Sequence, residues 1–486
     1  VISLLAGIFS GSAIYCMYSG NGALTAVKIV FEIMSKSMGE NIFIIIFGSM
    51  LGALVHIITM AGGSKAYGKW ASEKIKSRKL VQISTALLGI VLSIDDYFNC
   101  LTVGTVMRPI TDKHRISRAK FAYIIDAMAA PVCVIAPISS WAASIVSCID
   151  SVELNGMTLF IKTIPYNFYA ILTIIFVFIL CFTNINFGPM KTFEHNAIEN
   201  GDLFTTKSEI PEQEIEEKRS SDKGTAWDLL LPVFVLMSVS VFMMLETGGF
   251  FNGGVSIPQA LGNTQSGLSI TIGAVSAIVV AFIMFVPRKL LTFKMFMDGV
   301  NQGIKTMAPA FLILSLAWTM SDVCGELICT GEYISDLASN LHVDSAYIPV
   351  FIFLLAGFLS FSLGTSWGTF GILIPVVATV CERLDPGITV IALSATLSGS
   401  VFGDHCSPIS DTMVLSSMGA GCNHMDHVST QMPYASLVAV ASILGYIIAG
   451  ITGNALISIL TSASFMVILI FVIYKKSESK NINRES

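Results

Sequence analysis

Residues 80–107 form an apolar segment of 28 residues lying between two clusters of positive charge. On one side, residues 62–79 carry Lys65, Lys69, Lys74, Lys76, Arg78 and Lys79 against Glu73. On the other, residues 108–120 carry Arg108, Lys113, Arg115, Arg118 and Lys120 against Asp112. Short loops this basic stay on the cytoplasmic side of a membrane. A helix over the whole segment would be about 42 Å long, enough for one tilted crossing and not for two. A chain that starts and ends on one side within that length turns back inside the bilayer. Residues 80–107 are therefore expected to be a re-entrant hairpin.

The membrane premise comes from composition. Of the 486 residues, 53% are hydrophobic and 13% charged, and the mean hydropathy is +0.74. Soluble domains carry roughly 25% charged residues, and half that fraction cannot wet a body of this size. Apolar segments at 1–18, 42–61, 121–149, 166–184, 226–246, 267–286, 300–320, 388–420, 434–453 and 455–474 suit helical spans of about 20 residues. Barrel strands would be shorter and alternating. The net charge of −5, with basic residues in short clusters, excludes a nucleic-acid binder. Cys16, Cys100, Cys133, Cys181 and Cys406 lie inside apolar blocks, as buried thiols do, rather than in a disulfide framework. The chain begins with Val rather than Met and shows no cleavable signal, so residues are expected to precede it.

A second segment, 347–380, repeats the argument from the other face. Residues 321–345 hold Asp322, Glu326, Glu332, Asp336 and Asp344 without Lys or Arg, which places them outside. The crossings then put Arg288, Lys289 and Lys294, the polar stretch 185–225 and the tail 475–486 inside, with both termini cytoplasmic. The stretch 185–225 carries nine acids and five basic residues and reads as a flexible linker.

The fold class is thus an all-α polytopic membrane protein built as an inverted repeat. Each half has about five spans, one re-entrant hairpin and a broken helix. The first half covers 1–184 and is closed by the span 226–246; the second covers 267–474. Hairpins 80–107 and 347–380, and the spans 121–149 and 388–420 that follow them, start 267 residues apart. Leu92-Ser93-Ile94-Asp95-Asp96 resembles Phe361-Ser362-Leu363-Gly364-Thr365, and Ala136-Pro137-Ile138-Ser139-Ser140 resembles Ser407-Pro408-Ile409-Ser410-Asp411. Inverted repeats with broken helices meeting at the midplane mark secondary transporters.

Ionisable groups inside membrane segments cost several kcal/mol and point to function. Asp95 and Asp96 sit mid-hairpin with Asn99 one turn on, and Asp126 precedes the Pro131 and Pro137 breaks, followed by Ser139. The second hairpin carries Gly364-Thr365-Ser366-Trp367-Gly368-Thr369. The next span is interrupted by Gly403-Asp404-His405-Cys406-Ser407-Pro408-Ile409-Ser410-Asp411-Thr412. Candidate binding residues are accordingly Asp95, Asp96, Asn99, Asp126, Ser139, Thr365, Ser366, Trp367, Thr369, Asp404, His405, Ser407, Ser410, Asp411 and Thr412. Carboxylates, hydroxyls and freed carbonyls make an all-oxygen set suited to Na⁺, with Asp95, Asp96, Asp404 and Asp411 as its acidic ligands. A carboxylate open to both Na⁺ and H⁺ exchanges one for the other. Plainer roles stand beside these: Asp126 in a structural polar pair, Asp404 and Asp411 as caps of half-helices. His405 beside Cys406 lacks the ligand spacing of a structural zinc site. His424, Asp426 and His427 fall in a short loop and are expected to be solvated.

Together, residues 403–412 and 364–369 resemble the NhaC-type Na⁺/H⁺ antiporter family of the ion transporter superfamily. One departure is Met413, where many relatives carry a second Thr. The resemblance spans roughly 80–434 and implies a dimeric secondary transporter of the bacterial inner membrane, not an enzyme. It implies no cofactor beyond Na⁺ and H⁺ as transported or coupling ions, and an elevator motion of the hairpin tips. Because the family includes exchangers of organic acids and amino acids, a small organic solute is the alternative cargo. No Lys or Arg falls at mid-span in the site, which favours Na⁺/H⁺ exchange.

Overall fold

In lipid the backbone can satisfy its polar groups only within helices or closed barrels. The computed structural model describes residues 2–93, 96–137, 139–150, 156–183, 185–206, 223–255, 257–329 and 345–485, and among them helices occur without strands. Among the described residues, seven helices are long and apolar enough to cross a bilayer, and a pair bent by 49° at residue 167 makes eight. The chain is a multi-pass membrane protein. Residues 121–149 and 388–420 are each divided among shorter helices, and Ile2–Tyr18 is a 17-residue helix.

Two groups of helices pack side by side. The first contains α1 (Ile2–Tyr18), α2 (Ala23–Glu40), α3 (Ile42–Met60) and α4 (Gly63–Lys74). The second begins with α5 (Arg78–Val91) and α6 (Asp96–Lys113), which pack on each other across residues 92–95. On α5, Val81, Gln82, Thr85, Ala86 and Gly89 are buried on one stripe. Leu80, Leu87 and Val91 are exposed on the other. An apolar outer face with a polar-containing inner one is the pattern of a helix solvated by lipid.

Next come α7 (Arg118–Ala127), α8 (Ala130–Cys133) and α9 (Ser140–Asp150), the pieces of one interrupted helix. They lead through α10 (Gly156–Thr163) and α11 (Phe168–Thr183) to α12 (Pro189–Asn200). Helix α12 departs from the expected flexible linker: Phe193, Glu194 and Ala197 are buried against neighbouring helices. An apolar stripe with a paired acid gave this piece something to bury. Residues 207–222 of the same stretch lie outside the described residues.

Helices α13 (Trp227–Thr247), α14 (Ile257–Gly262), α15 (Ser266–Phe285) and α16 (Phe293–Asp322) follow. Of these, α15 and α16 return to the first group and pack with α3, while α13 packs on α15 and α4. The second group is completed by α17 (Ile348–Leu363), α18 (Ser366–Leu384), α19 (Thr389–Cys406), α20 (Asp411–Ala420), α21 (His424–Thr452) and α22 (Ala455–Glu485). The acidic stretch 330–344 lies outside the described residues.

Helices α6 and α20 touch through backbone. A Cβ on Gly104 would lie 2.4 Å from Cα of Gly419. Gly104→Ala forces the pair apart, and overpacking of this kind costs about 1–3 kcal/mol. The expected result is a lower melting temperature in detergent. An unchanged melt would mean that the two helices are not pressed together as found.

Candidate functional site

Four interruptions of helix meet at one place. The turn between α5 and α6 touches the break after α8 through Cys133 Sγ, 3.3 Å from the Ser93 carbonyl. The turn between α17 and α18 touches the break before α20 through the Asp411 amide, 3.4 Å from the Gly364 carbonyl. Gly364 has φ +71°, and a Cβ there would meet Ile409 Cγ1 at 2.5 Å, so the left-handed turn and the close approach both call for glycine.

The breaks are closed locally by hydroxyls. Ser139 Oγ accepts from the Ala142 amide at 3.1 Å and donates to the Cys133 carbonyl at 2.9 Å. Ser410 Oγ accepts from the Met413 amide at 3.2 Å as the cap of α20. Ser407 Oγ donates to the Phe361 carbonyl at 2.8 Å, Ser366 Oγ to Ser400 at 3.2 Å and Thr369 Oγ1 to Thr365 at 2.9 Å. For Ser139, Ser366, Thr369 and Ser407 the hydroxyl proton is thus spent on backbone, and the Thr365 carbonyl accepts one of these bonds.

The carboxylates lie where the halves of the chain cross. Tyr97, one residue into α6, donates its hydroxyl to Asp411 Oδ2 at 2.6 Å. The Thr412 amide donates to Asp411 Oδ1 at 2.8 Å, and Thr412 Oγ1 donates to Asp404 Oδ2 at 2.9 Å. Asp404 and Asp411 are 0% and 2% exposed. Asp96, also buried, accepts from Trp367 Nε1 at 3.4 Å. Asp95 lies outside the described residues.

A second polar knot surrounds Asp126. Gln431 Nε2 donates to Asp126 Oδ2 at 2.5 Å and to the His405 carbonyl at 3.2 Å. His405 Nε2 and His427 Nε2 each stand 3.9 Å from Asp126 Oδ2. Tyr169 Oη is 3.1 Å from His405 Nδ1, and Ser416 Oγ is 3.0 Å from His427 Nε2. His427 corrects the expected solvated loop: it is wholly buried in the first turn of α21, which starts earlier than hydropathy shows. His424 and Asp426 are half-buried, and His424 Nε2 lies 2.8 Å from the Pro408 carbonyl.

Asn99 Nδ2 donates to the Gly89 carbonyl at 2.6 Å. Asn99 Oδ1, Asp126 Oδ1 and Asp404 Oδ1 are buried with no hydrogen-bond partner among the described residues. Bare acceptors in a dry interior mark where a cation, a proton or a water sits. Among the described residues, no three His, Cys, Asp or Glu side chains converge as a chelating group. A hard cation here would lean on hydroxyl and carbonyl oxygens as well as carboxylates.

Sequence reasoning missed Tyr97, Gln431 and His427, and also Trp141, whose ring packs on that of Trp367 with centroids 5.1 Å apart. Gln431 carried a usable signal, a polar amide at the head of an apolar stretch. Tyr97 and Trp141 carried none, because aromatic residues are ordinary filler in membrane helices.

The model of the Na⁺/H⁺ antiporter family matches residues 132–451. The chain is 36% identical to an uncharacterized protein of Haemophilus influenzae over 490 residues, 98% of this chain and 92% of that one. It is 30% identical to an uncharacterized Na⁺/H⁺ antiporter of the same organism over 134 residues, 27% of this chain and 28% of that one. It is 30% identical to the malate-2H⁺/Na⁺-lactate antiporter of Bacillus subtilis over 153 residues, 30% of this chain and 31% of that one.

Proposed function

Since the chain belongs to the Na⁺/H⁺ antiporter family and is a secondary transporter, we propose that it exchanges Na⁺ for H⁺ at Asp404 and Asp411 by alternating access. The observation that carries this reading is the partner set of the two buried carboxylates, which are held by Tyr97, Thr412 and amides rather than by a basic side chain. A buried carboxylate without a counter-charge is costly. It is relieved by a cation or by a proton. The two are alternatives at one oxygen set, so binding of either expels the other.

Two hairpin turns and two helix breaks at one level support an inverted repeat, in which the site faces each side of the membrane in turn. In this reading it is of the NhaC type, the hairpin tips move with α20 against the α3–α16 group, and the basic ends and both termini face the cytoplasm of a bacterial cell.

The test is Na⁺-triggered proton release in proteoliposomes holding the purified protein. Release on adding Na⁺ alone is expected. Silence with Na⁺ alone and release only with an organic solute would replace exchange by coupled solute transport. The name of the Bacillus subtilis relative couples both ions to organic acids, and the packed rings of Trp141, Trp367 and Phe370, with Trp367 Nε1 on Asp96, favour an organic cargo as the second reading.

A further inference from the structure

Helix α4 lies at a depth in the bilayer that its neighbours mark. Trp227 opens α13 and is 67% exposed, and Leu231 and Phe234 follow it on the same exposed face. An exposed indole at the head of an apolar stripe sits at the headgroup level of a bilayer. Helix α4 starts against that point, since a Cβ on Gly63 would lie 3.1 Å from the carbonyl carbon of Asp228.

The helix is laid across the boundary of the two helix groups, packing on α3, α13 and α6. Tyr67 faces inward, buried in the core that holds Met107 and Ile110 of α6. Outward, α4 shows Lys65, Lys69, Glu73 and Lys74. Trp70 stands among them, 46% exposed, with its ring 5.9 Å from that of Tyr67. Lys76 and Lys79 carry the exposed charge on to Leu80, where the lipid-facing stripe of α5 begins.

Keeping a loop on one side of a membrane asks only for basic residues somewhere in it. It asks for no exposed indole among them and no docked helix to carry them. Five exposed lysines against one acid, with Trp70 in their midst, make a surface that is cationic and apolar at once. A soluble anion would use the charge alone. An anionic phospholipid uses both.

We propose that the outer face of α4 binds the headgroups of anionic phospholipids in the surrounding bilayer. The lysine ammoniums take the phosphate oxygens, their stems lie along the apolar level below, and Trp70 seats at the boundary between the two. The bound lipids hold α4, and the ends of α3 and α13 packed on it, at fixed depth beside α6.

The experiment is native mass spectrometry of the purified protein in detergent, titrated with phosphatidylglycerol or phosphatidylcholine. Preferential retention of phosphatidylglycerol is expected. It should weaken at least about tenfold between 0.1 and 1 M ammonium acetate, as the screening length falls from about 10 to about 3 Å. Lys65→Gln/Lys69→Gln/Lys74→Gln should weaken it about a hundredfold, roughly fivefold for each charge removed. Lys289→Gln/Lys294→Gln, in another exposed basic loop, should leave it unchanged. Equal retention of both lipids, full retention by the triple variant, or displacement by soluble glycerol phosphate at matched concentration overturns the proposal. Should the triple variant fail to fold, nanodiscs with brominated phosphatidylglycerol decide the matter. They should quench a component of tryptophan emission that Trp70→Phe lacks and that brominated phosphatidylcholine quenches less. Equal quenching by the two lipids overturns the assignment to α4.

Discussion

Asp411→Asn and Asp404→Asn should each slow Na⁺-driven proton release at least about a hundredfold, the loss of more than two decades of cation affinity. Asn matches Asp in shape: at position 411 its amide oxygen can still accept from the Thr412 amide while its NH2 donates to the Tyr97 hydroxyl oxygen, and at 404 its oxygen can still accept from Thr412 Oγ1. What disappears is the charge. A unit charge about 4 Å from a cation is worth about 4 kcal/mol at an effective dielectric of 20, close to three decades of affinity. A carboxylate acting only as a cap in the first turn of α20 would cost about 0.5–2 kcal/mol of stability and leave transport intact. Asp426→Asn is the control. Asp426 is half-buried at the start of α21, hydrogen-bonded to Thr206, and should transport normally. Retained Na⁺ response in both site variants would return Asp404 and Asp411 to the role of caps.

Glu194→Ala should destabilise the protein by about 3–5 kcal/mol, the penalty for stranding buried charge. Glu194 is 1% exposed and Lys120 is 0% exposed. Lys120 Nζ stands 3.3 Å from Glu194 Oε2, Arg78 Nη2 stands 2.5 Å from the same oxygen, and the Ser117 amide donates to Oε1 at 2.9 Å. Burial alone would push this carboxyl up. Lys120, Arg78 and the Ser117 amide outweigh it and hold the group below the ordinary carboxylate range. Its stabilising contribution is therefore present above the unfolded carboxylate value, about pH 4.3, and is lost as pH falls through the lower folded value. Thermal melts in detergent at neutral pH check the size of the effect. Lys120→Met should recover much of the loss in the Glu194→Met background, since the apolar pair strands no fully buried charge and leaves only the partly exposed Arg78 without its carboxylate. Equal melting of wild type and Glu194→Ala would mean that α12 is not anchored here.

Much of the candidate site could be read along the chain because lipid makes polar residues conspicuous. Asp96, Asp126, Asp404 and Asp411 stand out in apolar segments, and all are buried where helices break. The breaks were legible too: Pro408 and Ser410 interrupt one helix, and Gly364 ends another in a left-handed turn. Helix α12 was less legible, since its average polarity hides the stripe of Phe193, Glu194 and Ala197.

The sequence by itself determined the helical membrane class, the positions of the breaks and the presence of acids within them. Each follows from chain-local physics, namely hydropathy over about 20 residues, backbone conformation, and the cost of a charge in hydrocarbon. Only the tertiary structure decided the partners. Tyr97 reaches Asp411 across 314 positions and Gln431 reaches Asp126 across 305. Trp141 and Trp367 meet from different halves of the chain. Such contacts depend on how each helix is rotated and tilted against its neighbours, which packing sets and spacing along the chain does not record.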